Sequence, residues 1–148
     1  MKCYLTGNKV CNLGIEEKRN QIFIAYNYKY KNVEKIIEDA IIPALDELNI
    51  IYKIAKLEIS NKDFFCKICE LIQQSKYFLA NLTNPTFNVG LELGLALGLN
   101  KETILIASNR TKLPSDLIRQ EVIFYGKDLS KLKENFISCL NTLIKKNN

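Results

Sequence analysis

One acidic residue in an otherwise apolar stretch is the strongest candidate for chemistry in this sequence. Glu92 is the single charged residue of the segment 90–99, which reads GLELGLALGL. A helix that is apolar on nearly every side is expected to be enclosed by the protein, so the carboxyl group of Glu92 would be shielded from water. A shielded carboxyl group of this kind is either a catalytic group or a buried structural acid, and the pattern alone is compatible with both.

Three glycines lie on one face of the same predicted helix. At about 100° per residue, Gly90, Gly94 and Gly98 fall close together, while Glu92 lies almost opposite them and one turn after Asn88. Each glycine destabilises a helix by about 1 kcal/mol relative to alanine. We therefore expect a strand or a ligand to approach the glycine face closely.

An asparagine-rich loop precedes this helix. Asn84 followed by Pro85 is typical of an N-cap with proline at the first helical position, and Asn88 is an alternative inner cap. The N–H groups at such a helix start attract anions, including phosphate, without a lysine. The residues around Asn81, Asn84 and Asn88 are therefore candidates for a polar binding site.

The composition excludes several kinds of site. The chain has no histidine, which removes Ser-His-Asp and Cys-His catalysis and most catalytic zinc sites. Its formal net charge is +5, but no basic block is longer than a pair such as Lys145-Lys146, so a solvated surface is favoured over nucleic acid binding. No segment has the apolar length of a membrane span or of a secretory leader, and we expect a cytoplasmic protein with no membrane partner.

The five cysteines leave one alternative open. Cys66 and Cys69 form a C-x-x-C pair, and Cys3 with Cys11 could complete a four-thiolate zinc site if the N-terminal segment folded against them. Cys3 and Cys11 are too far apart in sequence for a usual zinc knuckle, and Cys69 falls on an apolar helical stripe. We therefore expect reduced thiols and no metal.

Apolar runs alternate with amphipathic segments along the chain, as expected for a parallel sheet with helices on both faces. The predicted strands are 21–26, 50–55, 77–82, 102–107 and 122–125. The predicted helices are 32–48 with a kink or break at Pro43, 60–75, the Glu92 helix, and 129–145. Residues 1–12 suggest a hairpin around Thr6-Gly7-Asn8.

The fold class predicted from this order is α/β, a three-layer α/β/α sandwich with a mainly parallel five-stranded flavodoxin-like sheet. The chain is expected to form one domain, 1–148, in which residues 1–20 are an N-terminal extension. Right-handed crossovers place all strand-to-helix loops at one edge of the sheet. Tyr26, Asn27, the loop 81–88 and Glu92 are expected to converge at that edge, where open α/β sheets bind ligands.

The helix and its preceding loop carry a family resemblance. The pattern Asn84-Pro85-x-x-Asn88-Val89-x-x-Glu92-Leu93-Gly94-x-Ala96-x-Gly98-x-x-Lys101 resembles the nucleoside 2-deoxyribosyltransferase and bacterial TIR-like superfamily. The similarity runs from about residue 21 to residue 125 and includes the segments 24–26 and 113–117. It implies that Glu92 is catalytic and acts at C1′ of a ribosyl group as the base departs. From their placement along the chain, the substrate-binding residues expected beside Glu92 are Tyr26, Asn27, Asn81, Asn84, Asn88 and Asp116.

One position departs from the family pattern. The strand before the motif usually ends in an aspartate, and the matching residue here is Asn81. Nicotinamide leaves an NAD-type substrate as a neutral group that needs no acid, so a nicotinamide dinucleotide or related nucleotide is slightly preferred over a free nucleoside. NAD would then be a substrate, and no cofactor is expected.

Two further readings stay open. The chain could instead be a non-catalytic module that senses a nucleotide or assembles with copies of itself, and the family analogy also allows a homodimer or higher homo-oligomer. Flavin binding is less favoured, because no loop at a strand end offers a run of serines and threonines for a flavin phosphate.

Overall fold

A single parallel sheet forms the centre of the molecule. The computed structural model describes residues 3, 11, 14–58, 63–117 and 121–146. The strands are β1 (Lys18–Ala25), β2 (Ile51–Lys53), β3 (Ser75–Asn81), β4 (Glu102–Ser108) and β5 (Val122–Tyr125). They pair in the order β2-β1-β3-β4-β5, and every neighbouring pair is parallel. The predicted five-stranded parallel sheet is confirmed.

Helices cover both faces of this sheet. They are α1 (Lys31–Ile36), which continues through a π-helical turn (Ile37–Ile41) into α2 (Ile42–Glu47), then α3 (Phe64–Gln74), α4 (Phe87–Gly98) and α5 (Leu129–Lys146). Short 3₁₀ turns occupy Ala55–Leu57 and Ser115–Leu117.

Alternation along β1 separates the two halves of the core. Ile22, Ile24 and Tyr26 pack with α1, α2 and α5, whereas Phe23 and Ala25 pack with α3 and α4. Successive strand residues point to opposite faces, so a fully buried strand supplies both layers. The three-layer α/β/α arrangement is therefore confirmed, and it places α4 on the opposite face of the sheet from α1.

The first helical region breaks where proline predicts it. Pro43 has no N–H to donate to the carbonyl of Asp39, and the π-helical turn Ile37–Ile41 lies immediately before it. The predicted cap at Asn32 is wrong, because the helix begins at Lys31 with Tyr30 in the N-cap position and no side-chain cap hydrogen bond.

Helix α4 begins later than the Asn84-Pro85 pair predicts. Its N-cap is Thr86, whose hydroxyl accepts a hydrogen bond from the Val89 N–H at 3.4 Å. Asn84 has φ of 47°, outside the extended region that an N-cap normally occupies. Its carbonyl accepts a hydrogen bond from Asn27 Nδ2 at 2.8 Å, which fixes it in the preceding turn. Neither Asn84 nor Asn88 is the cap.

The expectation that α4 is enclosed on all sides is also wrong within the described chain. Gly90, Gly94 and Gly98 are exposed, and a Cβ at any of them would meet nothing within 4 Å. Phe87 on the same helix is 82% exposed. The glycines do face away from Glu92, as their spacing predicts, but no strand of the described chain packs against them.

Several expectations fall on residues outside the described ranges. The predicted hairpin around Thr6-Gly7-Asn8 lies there, as do residues 60–62 at the start of the predicted helix 60–75. In the described part of the chain, no helix has the length and apolarity to cross a membrane. No group of three or more His, Cys, Asp or Glu side chains there could hold a metal ion, and no disulfide joins the described cysteines.

Candidate functional site

Two cavities lie on either side of the first turns of α4. The smaller, about 80 Å³, is lined by Glu92 and Asn88 together with side chains of α3. The larger is a cleft of about 900 Å³ at the carboxyl ends of the strands, and Asn84 and Gly90 contribute to its lining. Asn84, Asn88 and Glu92, which the sequence places in one site, are therefore divided between two cavities.

Glu92 lies in the smaller cavity among apolar side chains. Its neighbours in the lining, besides Asn88, are Phe64, Phe65, Ile68, Leu91 and Leu95. The residue is 5% exposed, and burial raises the pKa of its carboxyl group to about 7. No hydrogen bond or ion pair reaches this carboxyl group from the described residues. Near neutral pH both the protonated and the ionised form of Glu92 are therefore populated, as is common for catalytic carboxyl groups.

Tyr28 is a half-buried aromatic residue whose phenol senses the charge of Glu92. Burial raises the pKa of the Tyr28 phenol, and the negative charge of Glu92 raises it further, so this phenol stays protonated. Its ring meets that of Tyr26 edge-on at 4.8 Å between centroids. The ammonium of Lys56 lies 5.3 Å from the Tyr28 ring centroid and is paired with Glu34. Tyr28 is thus held as a neutral hydrogen-bond donor near the carboxyl group.

A lysine anchors the outer wall of the Glu92 cavity. Lys67 Nζ donates hydrogen bonds to the carbonyls of Ala55 at 2.8 Å and Glu58 at 2.9 Å. The same ammonium lies 5.0 Å from the ring centroid of Phe64, which is 52% exposed. Asp63 begins α3 by accepting from the N–H of Phe65 at 3.0 Å. The segment after β2 is therefore attached to the start of α3, beside Glu92.

Asn81 lies in a closed hydrogen-bond network at the end of β3. Its Nδ2 donates to the Tyr125 hydroxyl at 3.0 Å, and its Oδ1 accepts from the Thr83 N–H at 3.0 Å. The Thr83 and Tyr125 hydroxyls lie 2.8 Å apart, and the Thr83 hydroxyl also accepts from the Ser108 N–H at 2.8 Å. Asn81 is fully buried, so here it joins the ends of β3 and β5 and lines neither cavity.

The other residues predicted to bind substrate have varied surroundings. Tyr26 is 3% exposed and packs in the core on the α1 and α5 face of the sheet. Asn27 ties two loops together through its bond to the Asn84 carbonyl, while its Oδ1 accepts from the Lys29 N–H at 3.1 Å. Asp116 is exposed in a 3₁₀ turn next to the large cleft. Only Asn88 shares the smaller cavity with Glu92.

Sequence reasoning missed Tyr28, Lys56 and Phe64. The period-two alternation of Ile22, Ile24 and Tyr26 indicates that Tyr26 points away from α4, but no comparable signal links Tyr28 with Glu92. No pattern in the sequence connects Lys56 with Tyr28 or Phe64 with Glu92, since both contacts depend on how the segment after β2 packs.

The strand order with helices on both faces defines a flavodoxin-like α/β fold. No protein-family model and no curated protein matches the sequence. The solved structures that resemble this chain include a TIR domain and an N-glycosidase. The TIR domain of the Toll-related receptor TRR-2 from Hydra magnipapillata is 15% identical, with a TM-score of 0.67 over 84% of this chain and 97% of that one. Clostridium botulinum CMP N-glycosidase, BcmB, is 21% identical, with a TM-score of 0.59 over 83% of this chain and 98% of that one. At these identities the similarity establishes a TIR-like fold.

Proposed function

We propose that this protein cleaves the N-glycosidic bond of a nucleotide, with Glu92 acting at C1′ of the ribosyl group. The observation that carries the proposal is the position of Glu92, buried in an apolar cavity with a pKa of about 7. A carboxylate in such a place has a strong electrostatic effect on a cation beside it, because little water screens the interaction. The resemblance of the fold to a CMP N-glycosidase supports the same class of reaction.

The chemistry follows from what the carboxylate can stabilise. As the C1′–N bond breaks, its electron pair leaves with the base and positive charge develops on C1′ and the ring oxygen. The Glu92 carboxylate stabilises that oxocarbenium ion directly or bonds to C1′, as a carboxylate does in glycoside hydrolysis. Water or another acceptor then adds to C1′ and releases a proton.

The composition of the cavity favours a base that leaves without protonation. Glu92 is the only carboxyl group among the described residues that line it, so no second acid is available for the leaving group. Nicotinamide fits this requirement, because the departing electron pair neutralises its positively charged ring nitrogen. This favours an NAD-type substrate over a purine or pyrimidine nucleoside.

The size of the cavity determines how a substrate would sit. About 80 Å³ is far below the roughly 300 Å³ of a typical small-molecule site, so only the reacting edge of the sugar enters. The half-exposed ring of Phe64 at the margin then offers a flat surface on which the leaving base stacks. Asn88, exposed beside Glu92, is available to hydrogen-bond a ribose hydroxyl.

The proposal is tested by chromatography of NAD, CMP and a panel of nucleosides after incubation with purified protein. Wild type is expected to release nicotinamide or a free base, and Glu92→Gln is expected to release none. Glu134→Gln, which removes an exposed carboxylate on α5, is the matched control and should keep full activity. Equal release by wild type and Glu92→Gln would exclude this role for Glu92.

A second candidate is a self-assembling module without turnover, and one specific observation favours it. Helix α4 presents exposed apolar side chains, Phe87, Leu91 and Leu97, on a helix whose glycines leave its surface open. Apolar helix surfaces of this kind are commonly covered by a partner. Size-exclusion chromatography with light scattering compares the oligomeric state of wild type with that of Phe87→Ser. The module is favoured over the enzyme if wild type assembles, Phe87→Ser does not, and wild type releases no product.

A further inference from the structure

The large cleft at the carboxyl ends of the strands has a composition different from that of the Glu92 cavity. It extends from the loop after β1, which contributes Tyr30, to the loops after β4 and β5. Its volume of about 900 Å³ is within the range of sites that bind nucleotides and other small ligands. Glu92 does not contribute to its lining, so the cleft is separate from the proposed catalytic cavity.

Uncompensated positive charge is concentrated at one end of this cleft. Arg110 and Lys112 follow β4, Lys127 follows β5, and the described lining includes no acidic residue. None of the three cations forms an ion pair within the described part of the chain. Two acids lie near this wall. Asp128 caps α5 by accepting from the Lys131 N–H at 3.1 Å, and Asp116 is exposed in the 3₁₀ turn Ser115–Leu117, outside the lining. Three cations on one wall, unpaired among the described residues, favour an anionic ligand, and arginine suits phosphate in particular.

Backbone contacts hold the two cationic loops next to each other. The Asn109 N–H donates to the Tyr125 carbonyl at 2.9 Å, joining the residue before Arg110 to the residue two before Lys127. A Cβ on Gly126 would lie 3.1 Å from Asn109 Nδ2, so these loops are in close contact. The cations are therefore carried by a paired, preorganised edge of the cleft.

The rest of the cleft suits the remainder of a nucleotide. Val33, Ile36 and Leu93 give it apolar walls, and the Thr83–Tyr125 hydroxyl pair, held by Asn81 and the Ser108 N–H, forms a polar surface between the strand ends. Tyr30 is 39% exposed on the β1 side. Two strand spacings, roughly 10 Å, separate β1 from β4, which is comparable with the distance between a base and its terminal phosphate.

We propose that this cleft is a second ligand site that binds a nucleotide, with its phosphates on Arg110, Lys112 and Lys127 and its base on Tyr30. The site is independent of the proposed N-glycosidic activity, because it shares no residue with the Glu92 cavity. Its occupancy would fix the loop 82–86 and the start of α4, and the Glu92 cavity lies against the same first turns of α4.

The test is isothermal titration calorimetry with ADP, adenosine and pyrophosphate as probes. Wild type is expected to bind ADP and, more weakly, pyrophosphate, which contains no glycosidic bond, and to bind adenosine least. Arg110→Gln and Lys127→Gln are each expected to weaken ADP binding about tenfold, the usual effect of losing one charged hydrogen bond. Lys145→Gln, an exposed cation on α5, is the matched control and should bind as wild type does.

Glu92→Gln separates the two sites. It is expected to bind ADP and pyrophosphate with wild-type affinity although it removes the proposed catalytic carboxylate. Circular dichroism of every variant verifies that it is folded. The proposal is overturned if wild type binds neither ADP nor pyrophosphate at millimolar concentration, if the two cleft variants bind like wild type, or if only Glu92→Gln loses binding.

Discussion

Replacement of Glu92 by glutamine should stabilise the protein while removing its proposed activity. The pKa of this carboxyl group is raised from 4.5 to about 7 by burial, so the folded protein holds the Glu92 proton more tightly than the unfolded chain does. The folded state then binds more protons between those two values, and wild type loses stability as the pH rises through that window. Glutamine has nearly the same shape and no charge to bury.

The magnitude follows from the two pKa values. The interval from a pKa of 4.5 to one of about 7 corresponds to about 3 kcal/mol by which the ionised Glu92 destabilises the folded state. This destabilisation is complete above the folded pKa. The free energy of unfolding of Glu92→Gln should therefore exceed that of wild type by about 1 kcal/mol near pH 5 and about 3 kcal/mol near pH 8. The other carboxyl groups titrate in both proteins, so the difference between them isolates Glu92.

Urea denaturation followed by far-UV circular dichroism measures this difference. Glu134→Gln serves as the control, because its carboxylate is exposed and should leave the unfolding free energy unchanged at both pH values. If Glu92→Gln is no more stable than wild type near pH 8, or if its advantage is independent of pH, then Glu92 does not bear a burial penalty and the electrostatic reasoning is wrong.

Three further substitutions test separate parts of the structure. Gly94→Ala should raise the free energy of unfolding by about 1 kcal/mol, because the new Cβ meets nothing within 4 Å. A lower free energy of unfolding in denaturant titration would mean that something packs on this face. Asn81→Asp should lower the free energy of unfolding by about 2 kcal/mol at alkaline pH and by less in acid, since the aspartate buries a charge in the Tyr125 network. An effect that does not change with pH would contradict this explanation. Phe64→Ala should raise the KM for base release about tenfold while Phe64→Tyr keeps it, and a lowered KM would show that the ring blocks entry.

The strands were predictable because the residues that favour a strand locally are also the apolar residues that the core of the sheet needs. Compact apolar runs such as 77–82 and 102–107 have the length of a buried strand, and the polar segments between them have the length of a crossover helix. Pro43 likewise has a local effect, the missing N–H, that no tertiary contact can restore. Features of this type follow from the residues themselves.

The start of α4 depended on a contact that is distant in sequence. Asn84, Thr86 and Asn88 are all acceptable caps by residue type, and they lie within five positions of one another. The choice falls on Thr86 because Asn27 holds the Asn84 carbonyl in the preceding turn. The sequence could locate this helix but could not choose among three equivalent caps.

The division of the site had a similar cause. Asn84, Asn88 and Glu92 are close in sequence, but a helix turns consecutive residues toward different neighbours. Asn88 and Glu92 face α3, whereas Gly90 and Leu93 face the large cleft. The exposure of α4 was unpredictable for another reason: an all-apolar helix indicates that something covers it, and this chain alone need not supply that cover.

The most direct test of the central claim is the pH dependence of kcat/KM for release of nicotinamide from NAD. If the ionised Glu92 carboxylate acts at C1′, kcat/KM should rise about tenfold per pH unit in acid and level off near the pKa of about 7 that burial produces. Glu92→Gln should show no turnover at any pH. A wild-type profile that is flat through this range, or that falls above it, would contradict a catalytic carboxylate at this position.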